Sequence, residues 1–352
     1  MSVMFSVQSM SNRYSEIGSE FWLEDVPKSL LNERNGVYAL SGRTAIDLIL
    51  QDILRRKAVK TVYLPAWCCD SMLAPFLDRG IRVYFYDLWV DEGLHYDVDE
   101  TVVPDIFYLT NYFGYENTIS TEVVDFFKQG GSTILYDRTH SYLMKDEPYT
   151  MLADYSFVSI RKWMGVVDGA VVSGLTENPI LKKCSYVSIK ENAMRQKFRY
   201  LDGDDSIIKQ EFLNAFGQFG HYLADDYRDY EMDDLSYTLY SREDWAEVKK
   251  RRQENASYLH LHLKGVHFLD ELTDFAAPLF VPILFSTKEQ RDTIRKRLIE
   301  NQIYCPVHWP KPQQIPTSYR ANEIYELELS LICDQRYGVE EMKRIAECIN
   351  HI

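Results

Sequence analysis

The chain has 352 residues, 46% of them hydrophobic and 26% charged, with 25 tyrosines. At roughly 100–200 residues per domain this is length for two domains, in the composition range of a folded soluble protein. Its 39 Lys and Arg against 53 Asp and Glu leave a net charge of -14. No field of that sign gathers a chain onto nucleic acid or an anionic membrane, and both partner classes are excluded.

Six cysteines, Cys68, Cys69, Cys184, Cys305, Cys333 and Cys348, form neither a C-x-x-C pair nor a small-domain disulfide framework. They read as reduced thiols. Residues 1–14 show no basic patch followed by an apolar run, and the apolar stretch 276–285 is broken by Pro278 and Pro282. Both features predict a cytoplasmic protein without a membrane span.

In chain order, a short apolar run at 37–40 leads into 43–56, where Ala45, Ile46, Ile49, Leu50, Ile53 and Leu54 recur at helical spacing. Residues 61–64 read as a strand ended by Pro65, 71–78 as a helix and 82–87 as the next strand. Strands at 106–111, 133–137, 156–160 and 170–173 follow, with a helix over 121–128. Steady alternation of strand and helix predicts a mostly parallel or mixed sheet covered on both faces.

Residues 189–234 read as long and helical, and 242–257 as a further helix. Strands at 279–285 and 327–332 then alternate with helices at 288–301 and 339–350. The reading is a large α/β domain over 1–239, with the helical extension 189–234, and a smaller α+β domain over 240–352.

Three fragments could carry chemistry. In Ser41-Gly42-Arg43-Thr44 a strand ends and a helix begins, so unpaired N–H groups, a glycine and two donor side chains could cradle a phosphate; taken alone, the fragment reads first as an N-cap and a tight turn. Asp137 ends a strand, where open α/β sheets place ligands, and His140 three residues on can face the same cavity. Ser159-Ile160-Arg161-Lys162 offers a lysine at a strand-to-loop junction, a candidate Schiff-base nucleophile or simply a solvated basic pair.

The ordered set, Gly-Arg-Thr, then Asp-x-x-His, then Ser-x-x-Lys before Asp168-Gly169-Ala170-Val171-Val172, resembles the fold-type I enzymes that use pyridoxal 5'-phosphate (PLP). Within them the chain is similar to the sugar aminotransferases named for DegT, DnrJ, EryC and StrS. Further matches are Ile17-Gly18-Ser19-Glu20-Phe21-Trp22, Tyr63-Leu64-Pro65-Ala66-Trp67, Asn111-Tyr112-Phe113-Gly114-Tyr115 and Pro306-Val307-His308-Trp309-Pro310.

The resemblance implies a fold-type I large domain with a mostly parallel seven-stranded sheet and a homodimer with shared active sites. It implies transfer of an amino group from an amino-acid donor to a keto-sugar or related carbonyl acceptor. The other outcomes are a different pyridoxal reaction (lyase, dehydratase or decarboxylase) or a non-catalytic relative. In the implied site Lys162 holds the cofactor and Asp137 keeps its ring nitrogen protonated. Gly42, Arg43, Thr44 and Ser159 anchor the phosphate. His140 packs on or hydrogen-bonds to the ring, and Trp67 stacks on it, with Cys69 or the 111–114 loop as substitutes for Trp67. His308 and Arg336 are candidates for the substrate cleft; for Arg336 the alternative is a structural salt bridge.

The pattern departs from the family in three places. His140 stands where the family carries Gln. Ser156-Phe157 is one residue further from its lysine than usual, so the usual spacing would land on Arg161, which cannot form a Schiff base. The family's Gly-x-Asn-x-Arg loop, which reaches into the partner subunit, is replaced by 190–201, with Asn192 and Arg195 as its nearest counterparts. Finally, His260, His262 and His267 lack ligand-spaced partners and read as a surface strand and turn, with no metal expected.

Overall fold

The computed structural model describes residues 16–24, 34–116, 118–144 and 148–350, so the leader reading of 1–14 lies outside them. In chain order the strands and helices are β1 (Ile17–Gly18), β2 (Val37–Ala39), α1 (Gly42–Leu54), β3 (Thr61–Pro65), α2 (Asp70–Leu77), β4 (Arg82–Val90), β5 (Leu94–Asp97) and β6 (Ile106–Thr110). Next come α3 (Thr121–Gln129), β7 (Thr133–Asp137), β8 (Tyr155–Val158), β9 (Ala170–Ser173), α4 (Val187–Leu201), α5 (Lys209–Asp225), α6 (Asp234–Tyr240) and α7 (Trp245–His262). The chain closes with β10 (His267–Phe268), β11 (Val281–Leu284), α8 (Lys288–Glu300), β12 (Ile303–Tyr304), α9 (Ala321–Leu327), β13 (Glu328–Leu331) and α10 (Val339–Asn350).

The large sheet has the order β2-β9-β8-β7-β6-β3-β4-β5. From β8 to β4 all neighbours are parallel; β2, β9 and β5 join antiparallel. The central strands β6 and β7 are buried at every position, which is why Ile-Phe-Tyr-Leu-Thr and Thr-Ile-Leu-Tyr-Asp read as continuous rather than alternating runs. The sheet has eight strands where seven were expected. The eighth, β5, forms a hairpin with β4, which continues past Asp87 to Val90.

The second core cluster lies in the C-terminal part, around the antiparallel sheet β10-β11-β13. Val281, Ile283, Leu329 and Leu331 from its strands pack with Leu259 of α7, Ile294 and Leu298 of α8, and Met342 and Ile345 of α10. Ile17, from the other end of the chain, is fully buried in the same cluster because β1 pairs in parallel with β12.

Two local readings change. The segment 189–234 is not one helical run: α4 and α5 are followed by a non-helical stretch over 226–233, where Asp229 adopts φ 59°. And α7 continues to His262, so His260 and His262 lie on its last turn rather than on a strand. There His260 stacks on Phe268, with 4.0 Å between ring centroids, and burial pushes its pKa down to about 4.

Candidate active site

Four parallel strands, β3, β6, β7 and β8, lie side by side and share one carboxyl edge, the position where open α/β sheets bind ligands. Beyond β8, Ser159 caps a single 3-10 turn, Ile160–Lys162, and Lys162 is exposed. Its amine makes no hydrogen bond or ion pair among the described residues. Enclosure by protein, seconded by Arg161, lowers its pKa, against the pull of Glu20 and Cys69.

Asp137 ends β7 and is 7% exposed. Its Oδ1 accepts from Thr139 N at 2.8 Å and its Oδ2 from the Tyr108 hydroxyl at 2.9 Å. Burial raises its pKa, opposed by those two donors, and among the described residues no cation pairs with it. Thr139 laces the Asp137 and Lys162 loops together: its Oγ1 accepts from Ser159 N at 3.1 Å and its carbonyl from Trp163 Nε1 at 2.6 Å.

His140 Nδ1 accepts from Phe113 N at 3.2 Å, so the neutral ring carries its proton at Nε2. The ring stacks on Phe113 (4.7 Å, 30°) and on Trp309 (5.7 Å, 24°). Burial, His308 and Lys162 hold its pKa well below the usual range. A neutral aromatic donor stands here, not an imidazolium.

At the start of α1, Ser41 Oγ accepts from Thr44 N at 3.2 Å and bonds Thr44 Oγ1 at 3.0 Å. The N-cap and the phosphate cradle are therefore compatible: the cap claims Thr44, fully buried, while the N–H groups of Gly42 and Arg43 make no hydrogen bond among the described residues. A Cβ on Gly42 would stand 3.3 Å from the Phe157 ring and 3.5 Å from Ser159 Cβ, which puts the α1 terminus against the Lys162 turn. Arg43 donates to Leu223 O at 2.8 Å and lies over the Tyr227 ring. Among the described residues three buried guanidine nitrogens have no hydrogen-bond partner, and two of them, Arg43 Nε and Arg161 Nε, belong to this region.

Trp67 is a correction. It is fully buried, stacked on Tyr112 (4.6 Å, 12°), packed against Phe113 and Trp309, and its Nε1 donates to His308 O at 2.7 Å. It is a core residue with no ring face turned to the cleft. Cys69, two residues on, is half-buried, with its Sγ 2.9 Å from Ser71 Oγ. Arg336 is likewise committed: it is bidentate to Asp334 (2.8 Å twice) and its Nη1 and Nη2 donate to the carbonyls of Glu20 and Ser19. The salt-bridge alternative holds for it. His308 is 8% exposed and close enough to Lys162 to feel its charge.

Several contributors escaped the sequence reading. Glu20 lies 3.9 Å from Lys190 Nζ. Burial raises its pKa, but Lys190, Arg161, Lys162 and Lys197 together hold it below the usual carboxylate value. Lys190 and Lys197 belong to α4, so the stretch 190–201 is a continuous helix and not a loop. Asn192 is exposed, and Arg195 pairs with Glu191 one turn back. Arg252 of α7 and Gln335 both bind Trp163 O, at 3.2 and 2.6 Å, and brace the Lys162 turn from the C-terminal part. Nothing local in the sequence marks them.

No protein-family model and no curated protein matches the chain. Solved structures do. The PLP form of Spr1654 from Streptococcus pneumoniae matches with a TM-score of 0.61 at 18% identity, over 89% of this chain and 86% of that one. PseC from Helicobacter pylori, an aminotransferase involved in the biosynthesis of pseudoaminic acid, matches at 0.62 and 16%, over 91% and 86%. The sugar aminotransferase CalS13 from Micromonospora echinospora matches at 0.61 and 15%, over 89% and 86%. The chain has the fold of these proteins. Among the described residues no helix is long and apolar enough to cross a membrane.

Proposed function

We propose that the chain is a PLP-dependent aminotransferase that moves an amino group from an amino-acid donor to a keto-sugar or related small carbonyl compound. The observation that carries this is an amine, Lys162, and a buried carboxylate, Asp137, both without an ion-pair partner among the described residues, on two loops that Thr139 ties together. The solved proteins of the same fold named above are aminotransferases, which supports the same reading.

The residues present fit PLP on three counts. The free N–H groups of Gly42 and Arg43, with the orphaned Nε atoms of Arg43 and Arg161, suit a phosphate. Asp137 lacks the positive partner that a protonated ring nitrogen would be. Lys162 offers an amine without a hydrogen-bond or ion-pair partner among the described residues, its pKa shifted downward, the direction that favours attack on a carbonyl.

When bound, PLP supplies an electron-withdrawing ring that acidifies the carbon carrying the amino group. The chain's own residues do the rest. Gly42, Arg43, Arg161 and Ser159 would bind the phosphate. Asp137 holds a proton at the ring nitrogen by its charge, and Tyr108 and Thr139 fix the carboxylate. Lys162 Nζ accepts and returns a proton, a role of general acid–base catalysis typically worth ~10²–10⁴-fold. His140, Phe113 and Trp309 form an aromatic wall that limits water.

A cytoplasmic homodimer belongs to the same proposal. Helix α5 buries only Phe212, Phe219 and Leu223, leaving Leu213 and Tyr222 exposed beside Ile208. Exposed apolar side chains of this kind suit contact with a second copy of the chain.

The test is a half-reaction. Chain loaded with PLP and mixed with a panel of amino acids should leave the cofactor in its amine form with at least one donor. Release of ammonia or carbon dioxide with the cofactor unchanged would instead indicate another pyridoxal reaction.

A further inference from the structure

His308, between β12 and α9, packs edge-on against Phe113 (5.2 Å, 66°) and lies 6.4 Å, centroid to centroid, from His140. Its polar contacts run away from the cleft. The backbone N–H of His308 donates to Glu328 Oε2 at 2.7 Å. Its Nδ1 lies 2.8 Å from Ser330 Oγ, and Ser330 Oγ is hydrogen-bonded in turn to Glu328 Oε1. Glu328 and Ser330, two apart on β13 and so on one face of it, are completely buried. The remaining ring nitrogen, Nε2, makes no hydrogen bond among the described residues.

This geometry couples the atoms at the two ends of the chain of bonds. Because Glu328 Oε2 already accepts the His308 N–H, a proton on the carboxyl sits at Oε1. A serine hydroxyl has one proton to give. With Oε1 protonated, Glu328 donates to Ser330, Ser330 donates to Nδ1, and the neutral ring carries its hydrogen at Nε2. With Glu328 ionised, Ser330 donates to Oε1, Nδ1–H donates to Ser330, and Nε2 presents a lone pair.

We infer that Glu328 and Ser330 are positioning residues whose relay sets whether Nε2 of His308 donates to, or accepts from, a ligand beside Lys162. The conversion balances: the Nε2 proton leaves to solvent, the Oε1 proton passes to Ser330 Oγ, and the former Ser330 proton passes to Nδ1. One proton is lost in all.

The surroundings choose the resting pattern. Glu328 is faced by Arg291 of α8, which donates to its backbone carbonyl at 3.3 Å, by the Cys305 thiol and by His308. His308 is faced by His140 and Lys162. Burial, opposed by Ser330, the His308 N–H and Arg291, pushes Glu328 up to about 8. Burial and then Lys162 push His308 down to about 3. At neutral pH the proton therefore sits on Glu328, and His308 is a neutral N–H donor rather than a base. With the Nε2–H of His140 it makes a pair of uncharged donors suited to a carbonyl or carboxylate oxygen. That such an oxygen enters the cleft rests on the function proposed above; the relay does not.

The test is ¹⁵N NMR of the full chain labelled at histidine, without added cofactor, with His308 assigned by its loss in His308→Asn. The expected result is a protonated Nε2 and bare Nδ1 at about pH 6.5, exchanging to the opposite tautomer with a midpoint near 8. Glu328→Gln, whose amide can donate to Ser330 while its carbonyl accepts from His308 N, should hold the first pattern through the whole range. Ser330→Ala should abolish the exchange, and it carries the same test if the glutamine variant fails to fold. A protonated Nδ1 at pH 6.5, or unchanged exchange in either variant, would overturn the relay. Failure of the same protein to develop visible absorbance with PLP would overturn the proposed function and leave the relay standing.

Discussion

Arg252, 1% exposed on α7, holds its guanidinium 4.8 Å from the centroid of the Trp163 ring and donates to the Trp163 carbonyl at 3.2 Å. Trp163 directly follows Lys162, so a buried cation of the C-terminal part braces the turn that presents the amine. The same side chain donates to Leu279 O at 2.8 Å and to Gln335 Oε1 at 2.9 Å. Arg252→Met keeps the bulk and strands those acceptors in the core. It should cost roughly 2–4 kcal/mol in a denaturant melt, and Arg252→Lys, which cannot match the fork, should recover only part of that. A loss below about 0.5 kcal/mol would show that the contact is not structural.

Asp137→Asn separates the fold from the chemistry. The amide retains most of the volume and one acceptor for the Thr139 and Tyr108 donors, and it removes the penalty of a buried carboxylate. Stability without cofactor should be unchanged or higher. The half-reaction with an amino donor should slow by ~10²-fold or more, because a neutral partner no longer holds the ring-nitrogen proton. Equal loss of stability and activity would make Asp137 a structural residue.

Glu328 has a pH signature of its own. Its folded pKa, pushed up to about 8 by burial, exceeds the ordinary 4.5. Between these values the folded chain binds more protons at this group than the unfolded chain. Stability from it is therefore fully present below about pH 4.5 and lost as pH rises toward 8, at up to ~1.4 kcal/mol per pH unit. Glu328→Gln should be flatter than wild type across that window, so its relative stability should rise with pH. Parallel curves from chemical denaturation at pH 5 to 8 would contradict the burial argument.

What the sequence could and could not reveal follows from range. β3, β6, β7 and α1 are spelled out by local apolar patterning, and Asp137 stands out because it ends a strand, Lys162 because it closes the turn that follows one. β5 was hidden because Leu94–Asp97 is four residues long and follows the Asp91-Glu92-Gly93 turn with little apolar content. The misplacement of Trp67 came from direction, not identity. Tyr112, 45 residues away in the chain, takes its ring face, and no pattern around Pro65 announces that. Tyr108, Arg252, Gln335, Glu328 and Ser330 reach the site or its supports only through tertiary contacts, and a single sequence carries no trace of those.

The central claim is that Lys162, and not another lysine, takes up PLP. The most direct measurement is borohydride reduction of the chain incubated with PLP, followed by peptide mapping. The labelled peptide should contain Lys162, and Lys162→Ala should remain colourless and unlabelled while keeping the wild-type melting transition. A label on Lys190 or Lys197, the two other lysines lowered by burial to about 8 and about 7, would contradict it. So would a Lys162→Ala variant that still turns yellow.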